Sequence, residues 1–369
     1  MAHARNPVTD DLSRYLSPSA QRIRTLSIER WGEARAVEMI GLARSYVDLH
    51  NKAEKIAPFS EPVLITGESG VGKELLAQTI YLLGHPKGKP FVSVNCPQFQ
   101  EDNLTVSELF GHTRGSFTGA VADRLGAFDE ADGGVLFLDE IGDLNPGTQA
   151  MLLRVLSTNE LKPLGAARSQ SVEVRVVAAT NVQLNHLVMN KRFRYDLFFR
   201  LRYFNLQVPP LRERDDDWAL LVEYYLRRLC DRHGVRKAFS PSALKQLEAY
   251  HWPGNVRQLM TMVTTGYAMA DGATIQMHDV ASVIDDGLTS EVDRDDLWAR
   301  VTGGGQDFWQ VVYEPFMNRD LNRAQLTRFV RTGLGIAKGR YSALLELLGL
   351  PSTDYQRFMD FLRHHELKP

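Results

Sequence analysis

The sequence predicts an α/β domain built on a five-stranded parallel sheet, followed by a small helical domain and a C-terminal all-α domain. Three observations carry this expectation. Short apolar runs alternate with helix-length segments as far as about residue 213, a glycine-rich turn joins the first of these runs to a helical pattern, and only helical periodicity continues beyond.

In chain order, residues 1–35 read as a short N-terminal segment, and helical periodicity then runs to Ala57. The five strand candidates are Pro62 to Thr66, Phe91 to Cys96, Val135 to Asp139, Val174 to Ala179 and Phe204 to Val208. Each is short, apolar and separated from the next by a helix-length segment, the pattern of a parallel sheet covered on both faces. From Asp215 strand signals stop. Asp215 to His233, Ser240 to Tyr250 and Pro253 to Ala270 read as helices, the second N-capped by Ser240 with Pro241 in its first turn, the third opened by Pro253. From about Gly287 come Gly303-Gly304-Gly305, the aromatics Trp298, Phe308, Trp309, Tyr313 and Phe316, and further helical patterns. The expected boundaries are 1–35, 36–213 for the α/β domain, 214–286 for the helical lid and 287–369 for the C-terminal domain.

A chain of 369 residues with 44% hydrophobic and 24% charged residues has the composition of a folded globular protein with real cores. The formal charge of -2 excludes a surface coated in cations for nucleic acid, so any DNA contact has to be local. Cys96 and Cys230 are too few for a disulfide framework or a zinc site, which fits a reducing compartment. No apolar run reaches membrane-helix length, and the polar start Met1 to Asn6 lacks a signal-peptide core. The expectation is a cytoplasmic protein with no membrane contact.

The stretch Gly67-Glu68-Ser69-Gly70-Val71-Gly72-Lys73 follows the first strand candidate and opens the helical pattern Glu74 to Ile80. Glycines let the backbone turn its amides onto a polyphosphate, the helix N-terminus adds positive potential, and Lys73 supplies a point charge. This predicts binding of a nucleoside triphosphate. Glu74 stands where many such loops place a Ser or Thr that helps hold magnesium, so the metal has to lean on other residues. Val135-Leu136-Phe137-Leu138-Asp139-Glu140 supplies them: an apolar strand ending in two carboxylates at the ligand crevice. Asp139 is expected to hold Mg2+ and Glu140 to orient or activate the attacking water, which makes hydrolysis of ATP the expected chemistry.

At this point the chain resembles the AAA+ activators of sigma-54 RNA polymerase, the bacterial enhancer-binding proteins, over roughly Ile40 to Gly272. The resemblance rests on an ordered series: Gly67 to Glu74; Val94-Asn95-Cys96; Ser107 to His112; Gly115 to Ala120; Arg124 to Phe128; Leu136 to Gly142; Ala178 to Asn181; Phe193-Arg194 through Arg200-Leu201; Pro209 to Arg214; and Trp252 to Arg257. Glu74 is usual in that family.

The resemblance implies an AAA+ P-loop NTPase that assembles as a ring, with hexamers expected, and contacts sigma-54 RNA polymerase holoenzyme. Gly115-Ser116-Phe117-Thr118-Gly119-Ala120 looks like the loop that touches sigma-54, with Ser116 in place of the usual first alanine. Arg194 and Arg200 match arginines that reach a neighbouring subunit's nucleotide, Asn181 the sensor of the terminal phosphate, Arg257 the lid sensor, and Asn95 the switch residue that restrains Glu140. The nucleotide-contacting set is then Gly67, Glu68, Ser69, Gly70, Val71, Gly72, Lys73, Glu74 and Arg257. For the C-terminal domain, Gly339 to Pro351 resembles the first helix and turn of a helix-turn-helix with Ser352 to Arg363 as recognition helix, which implies DNA contact. Asp354 and Asp360 offset Arg357 and Arg363 there, so a protein-interaction bundle stays open as the alternative. The N-terminal segment is too short for a receiver or ligand-sensing domain, so control is expected from a partner protein, expression level or the C-terminal domain, unless the native chain carries a further N-terminal sensor. A remodelling ATPase acting on another protein is the alternative function.

Overall fold

The computed structural model describes residues 12–84, 88–96, 102–117, 119–284, 298, 301–302, 307–317 and 323–365. Residues up to Val283 form one compact unit and those from Ile284 a second.

The first unit opens with helix α1 (Pro18–Trp31), whose N-cap Ser17 accepts a hydrogen bond from Ala20 N and whose first turn carries Pro18. Helix α2 (Arg44–Ile56) follows. The α/β layer then runs β1 (Val63–Thr66), α3 (Lys73–Gly84), β2 (Phe91–Asn95), α4 (Asp102–Phe110), α5 (Ala127–Glu130), β3 (Val135–Asp139), α6 (Pro146–Thr158), β4 (Glu160–Leu161), β5 (Gln170–Ser171), β6 (Arg175–Thr180), α7 (Leu184–Met189), α8 (Tyr195–Leu201) and β7 (Phe204–Gln207). The five long strands form one sheet in the order β2-β3-β6-β1-β7. All its pairings are parallel. The central strands β1, β3 and β6 bury almost every side chain, so their sequences show no alternation.

Register decides where chemistry collects. Asn95 pairs with Asp139, and Thr66 lies between Thr180 and Gln207, so the carboxyl ends of all five strands open on one edge. Helices on the sheet bury Phe110, Phe128, Leu152, Leu156 and Leu197 against Leu136, Leu138, Val176 and Ala178. The opposite sheet edge is anchored by buried Arg175, which donates to the carbonyls of Ala57 (2.6 Å), Ile56 (2.9 Å) and Glu61 (3.3 Å) and so caps the end of α2. Burial lowers its pKa to about 10, which leaves it charged at neutral pH.

The lid consists of α9 (Asp217–His233), α10 (Pro241–Glu248) and α11 (Asn255–Met269). Ser240 caps α10 through its bond from Ala243 N. Two sequence expectations are corrected here. Strand pairing does not stop at residue 215: β8 (Ala238–Phe239) and β9 (Thr274–Ile275) form a short parallel pair inside the lid, and β4 pairs antiparallel with β5 before it. Two-residue strands carry too few side chains to show a period. Nor does Pro253 open the third helix, which begins at Asn255 after a turn in which both Trp252 (φ 52°) and Asn255 (φ 51°) are left-handed. Both side chains are buried.

In the second unit a π-helical turn (Trp309–Tyr313) leads into Glu314–Met317, and Arg323–Ile336, Tyr341–Leu347 and Tyr355–His364 are the remaining helices with described bounds. Its own core includes Phe308, Leu326, Val330, Leu344, Phe358 and Leu362. The expected recognition helix starts at Tyr355, because Ser352–Asp354 form a 3-10 turn. The Gly303-Gly304-Gly305 run lies outside the described residues.

Candidate ATP site

The loop between β1 and α3 turns at Gly70 (φ 77°) and Gly72 (φ 99°), conformations that favour glycine. A Cβ at Gly70 would also lie 2.4 Å from the Gly254 carbonyl, so the lid leaves room only for a hydrogen there. The cleft above holds about 560 Å³ and is walled by the loop, Asn95, Asp139 and Glu140, the segment Glu38 to Ile40, and Tyr225, Arg257 and Met260 of the lid. That volume is of the size that takes a small ligand.

Lys73 is buried at the first position of α3, and its ammonium donates to Gly67 O (3.1 Å) and pairs with Glu140 Oε1 at 3.3 Å. Glu140 follows the end of β3 in a left-handed conformation (φ 52°) that carries its side chain across to the Asn181 amide, which donates to Oε2 at 2.9 Å. Asn95 lines the cleft, while Glu140 is held by Lys73 and the Asn181 backbone. Burial, and after it the charge of Glu140, push the Asp139 carboxyl above its ordinary pKa. A carboxylate pair desolvated in this way suits a divalent cation. Among the described residues no group of three or more His, Cys, Asp or Glu forms a metal cage, so Mg2+ here would take its other ligands from phosphate and water. The residues present fit that group: Asp139 would hold it.

The lid side grips the loop through Arg257, the expected lid sensor, and through Arg212 and Asn255, which carried no role in the sequence reading. Arg212 pairs with Glu68 through two hydrogen bonds (2.9 and 2.6 Å), which hold that carboxylate below its ordinary pKa range. Asn255 donates to Glu68 Oε2 (3.0 Å) and Ser69 O (3.1 Å) while accepting from Leu211 N (2.8 Å). Arg257 donates to Ser69 Oγ at 3.2 Å and so approaches the loop from the lid. Below, buried Arg214 pairs with Asp217 (2.9 Å), donates to Ile40 O and stacks 3.5 Å from the Tyr46 ring. Asp217 in turn accepts from Leu42 N and Ala43 N. Glu74 faces solvent at the cleft rim.

The expected partner loop is a closed turn. Gly115 N donates to Ala120 O (2.9 Å), Ala120 N to Phe117 O (3.0 Å) and Arg114 N to Asp123 (2.7 Å). The Phe117 ring meets His112 edge-on at 5.0 Å, and Ser116 sits over Gly165, where a Cβ would lie 2.6 Å from its own Cβ. The Ser116 hydroxyl is buried without a partner. Gly119 closes the turn at φ 103°, and Thr118 lies outside the described residues. Arg194 and Arg200 do not line this chain's own cleft. Arg194 is exposed and paired with Asp196 (2.7 Å), and exposed Arg200 donates to Leu156 O.

A P-loop, a strand ending in two carboxylates and a lid arginine reaching the loop define an AAA+ ATPase domain. Residues 39–207 match the sigma-54 interaction domain family and residues 212–296 the AAA+ ATPase lid domain family. Over these residues the chain belongs to the AAA+ sigma-54 activator family. It is 41% identical over 253 residues to the Nif-specific regulatory protein of Herbaspirillum seropedicae, covering 68% of this chain and 46% of that one. It is 43% identical over 228 residues to the sigma54-dependent transcriptional regulator SfnR of Pseudomonas fluorescens, covering 62% of each. The chain thus spans about half to two thirds of the length of these relatives. Among solved structures it is similar to NtrX from Brucella abortus, with TM-score 0.62 and 27% identity over 89% of this chain and 70% of that one.

Proposed function

We propose that this chain is an ATP-hydrolysing, ring-forming activator that remodels sigma-54 RNA polymerase holoenzyme to open promoters. The observation that carries the reading is the intact pair Asp139 and Glu140 beside the loop lysine, in a domain of the sigma-54 interaction family. NtrX, the similar solved protein, has been crystallised with ADP and with ATP, which supports nucleotide in the cleft here. Bound Mg2+ would neutralise phosphate charge. Lys73 and the loop amides would bind the phosphates, Glu140 would orient the attacking water, and Asn181 would hold Glu140 in place through its amide. Asn95, one strand over, acts as the switch; Arg194 and Arg200 act on the neighbouring subunit of a hexamer; and residues 115–120 carry the movement to sigma-54. Among the described residues no helix is long and apolar enough to cross a membrane.

For the C-terminal unit two readings stand. Its helix pair resembles a DNA-reading motif, but Arg357 of the second helix stacks 3.8 Å from the Trp309 ring and Arg363 pairs with Asp360 at 3.3 Å. Cations so engaged favour a protein-interaction bundle. Purified chain, sigma-54 holoenzyme and a linear promoter, assayed for ATP-dependent open complexes, test the main reading. ATP hydrolysis without open complexes or sigma-54 capture in any nucleotide state overturns it in favour of a remodeller of another protein.

A further inference from the structure

A second cleft, of about 620 Å³, lies between the end of α1, the outer face of α3 and the start of the edge strand β2. Part of its wall, from Arg30 to Ala36, precedes the region matched by the sigma-54 interaction domain. The wall is aromatic. Trp31 stacks on Tyr81 with centroids 5.8 Å apart and planes 11° from parallel, and Phe91 packs 5.2 Å from Tyr81. The polar lining is cationic: Arg30, Arg35 and Lys89 stand against a single acid, Glu74. Arg30 is pre-positioned over this wall, its guanidinium 5.0 Å from the Tyr81 ring and hydrogen-bonded to the Tyr81 hydroxyl and the Lys89 carbonyl. Arg35 and Lys89 are exposed on the rim. Stacked rings beside a cluster of cations recognise a flat π system that carries negative charge.

The cleft is wired to the first one. Glu74, the residue after the loop lysine, lines both clefts. Ala36 lines the second, and Glu38 and Ile40, two and four residues on, line the first. Ser27 of α1 accepts from Val37 N at 2.8 Å, and Glu38 bonds to Tyr224 and Arg228 of the lid helix α9. The 30–36 segment is thus joined through residues 37–40 to the wall of the ATP cleft and to the lid.

We propose that this cleft is an effector site for a small planar anion, a ring bearing a phosphate or carboxylate, whose binding changes nucleotide affinity. The proposal goes beyond the activator reading and stands if sigma-54 proves to be the wrong target, because its readouts are binding alone. The full chain, saturated with ADP to fill the first cleft, is titrated with 8-anilino-1-naphthalenesulfonate as fluorescent probe. One saturable site is expected, weakened about fivefold or more by Arg35→Ala combined with Lys89→Ala. Both residues are exposed, so the fold should be kept, and unchanged melting temperature and ADP affinity verify that it is. Trp31→Leu removes the stacking face and is expected to weaken the probe separately. Displacement by 5′-GMP alone identifies a nucleotide-type effector, and displacement by 1-naphthoate alone an aryl carboxylate. The probe at saturation should also shift ADP affinity severalfold. Equal probe affinity in wild type and the double variant, or uptake without saturation, overturns the site. An ADP affinity indifferent to the probe overturns its role as an effector.

Discussion

Two side chains, Lys73 and Glu140, carry the proposed chemistry at the scale of single residues. Lys73 faces the phosphate loop and Glu140 faces both Lys73 and the Asn181 amide, so they contribute to different steps. Lys73→Ala should abolish nucleotide binding, whereas Glu140→Gln should keep it and slow hydrolysis by a hundredfold or more, of order 10². Titration with a fluorescent nucleotide beside a phosphate-release assay separates the two, and equal loss of affinity would refute the assignment. His50 offers a test of folding. It is fully buried with neither ring nitrogen partnered, packed 4.4 Å from the Tyr46 ring, and burial aided by the Arg214 charge lowers its pKa to about 4. The folded state keeps His50 neutral while the unfolded chain protonates it near pH 6.5. Stability is thus unaffected above that pH and falls as pH drops toward 4, by up to about 3 kcal/mol. Between pH 7 and 4 the wild type should lose stability relative to His50→Leu by up to about 3 kcal/mol, read from melting curves of the two proteins across that range. A stability difference that does not change with pH would show that His50 does not carry the acid sensitivity.

Among secondary elements, the sheet was legible in the sequence because its strands are short apolar runs set apart by helix-length segments: each of the five observed lies within a residue of its expected bounds. The P-loop and the acidic strand end were legible for a related reason, since their chemistry is local in sequence. What escaped was long-range. Glu68 meets Arg212 and Asn255 across 144 and 187 residues, and Asp217 meets Leu42 across 175, so no window along the chain contains both partners. The short strands β4, β5, β8 and β9 exist through tertiary pairing rather than propensity. The partner loop belongs to this scale too. Its turn is closed by its own backbone and packed on His112 and Gly165, away from the residues that line the ATP cleft. Phe117→Ala and Thr118→Ala should leave ATP turnover within about twofold of wild type while abolishing promoter opening and sigma-54 capture with ADP and aluminium fluoride. A parallel loss of ATPase activity would place the loop in catalysis instead.

For the whole molecule, the decisive fact is what the ATP cleft does not contain. The single chain supplies loop, carboxylates and lid, but Arg194 and Arg200 face outward from the region around α8. If they complete a neighbour's site, ATPase activity per protomer should rise with concentration, and mixing Arg200→Ala with Glu140→Gln protomers should restore part of the activity that each lacks. Activity that is independent of concentration down to a monomeric sample would remove the trans role.

The turn from Trp252 to Asn255 bears on how the lid is tied to the phosphate loop. A bulky indole and an amide both sit in the left-handed region, each at a cost of order 1–3 kcal/mol that the surrounding burial sustains. Asn255 is at once a left-handed residue of this turn and a group that holds the phosphate loop. The left-handed turn of the lid and the phosphate loop thus share one residue, so a displacement of the loop would break the hydrogen bonds that fix Asn255.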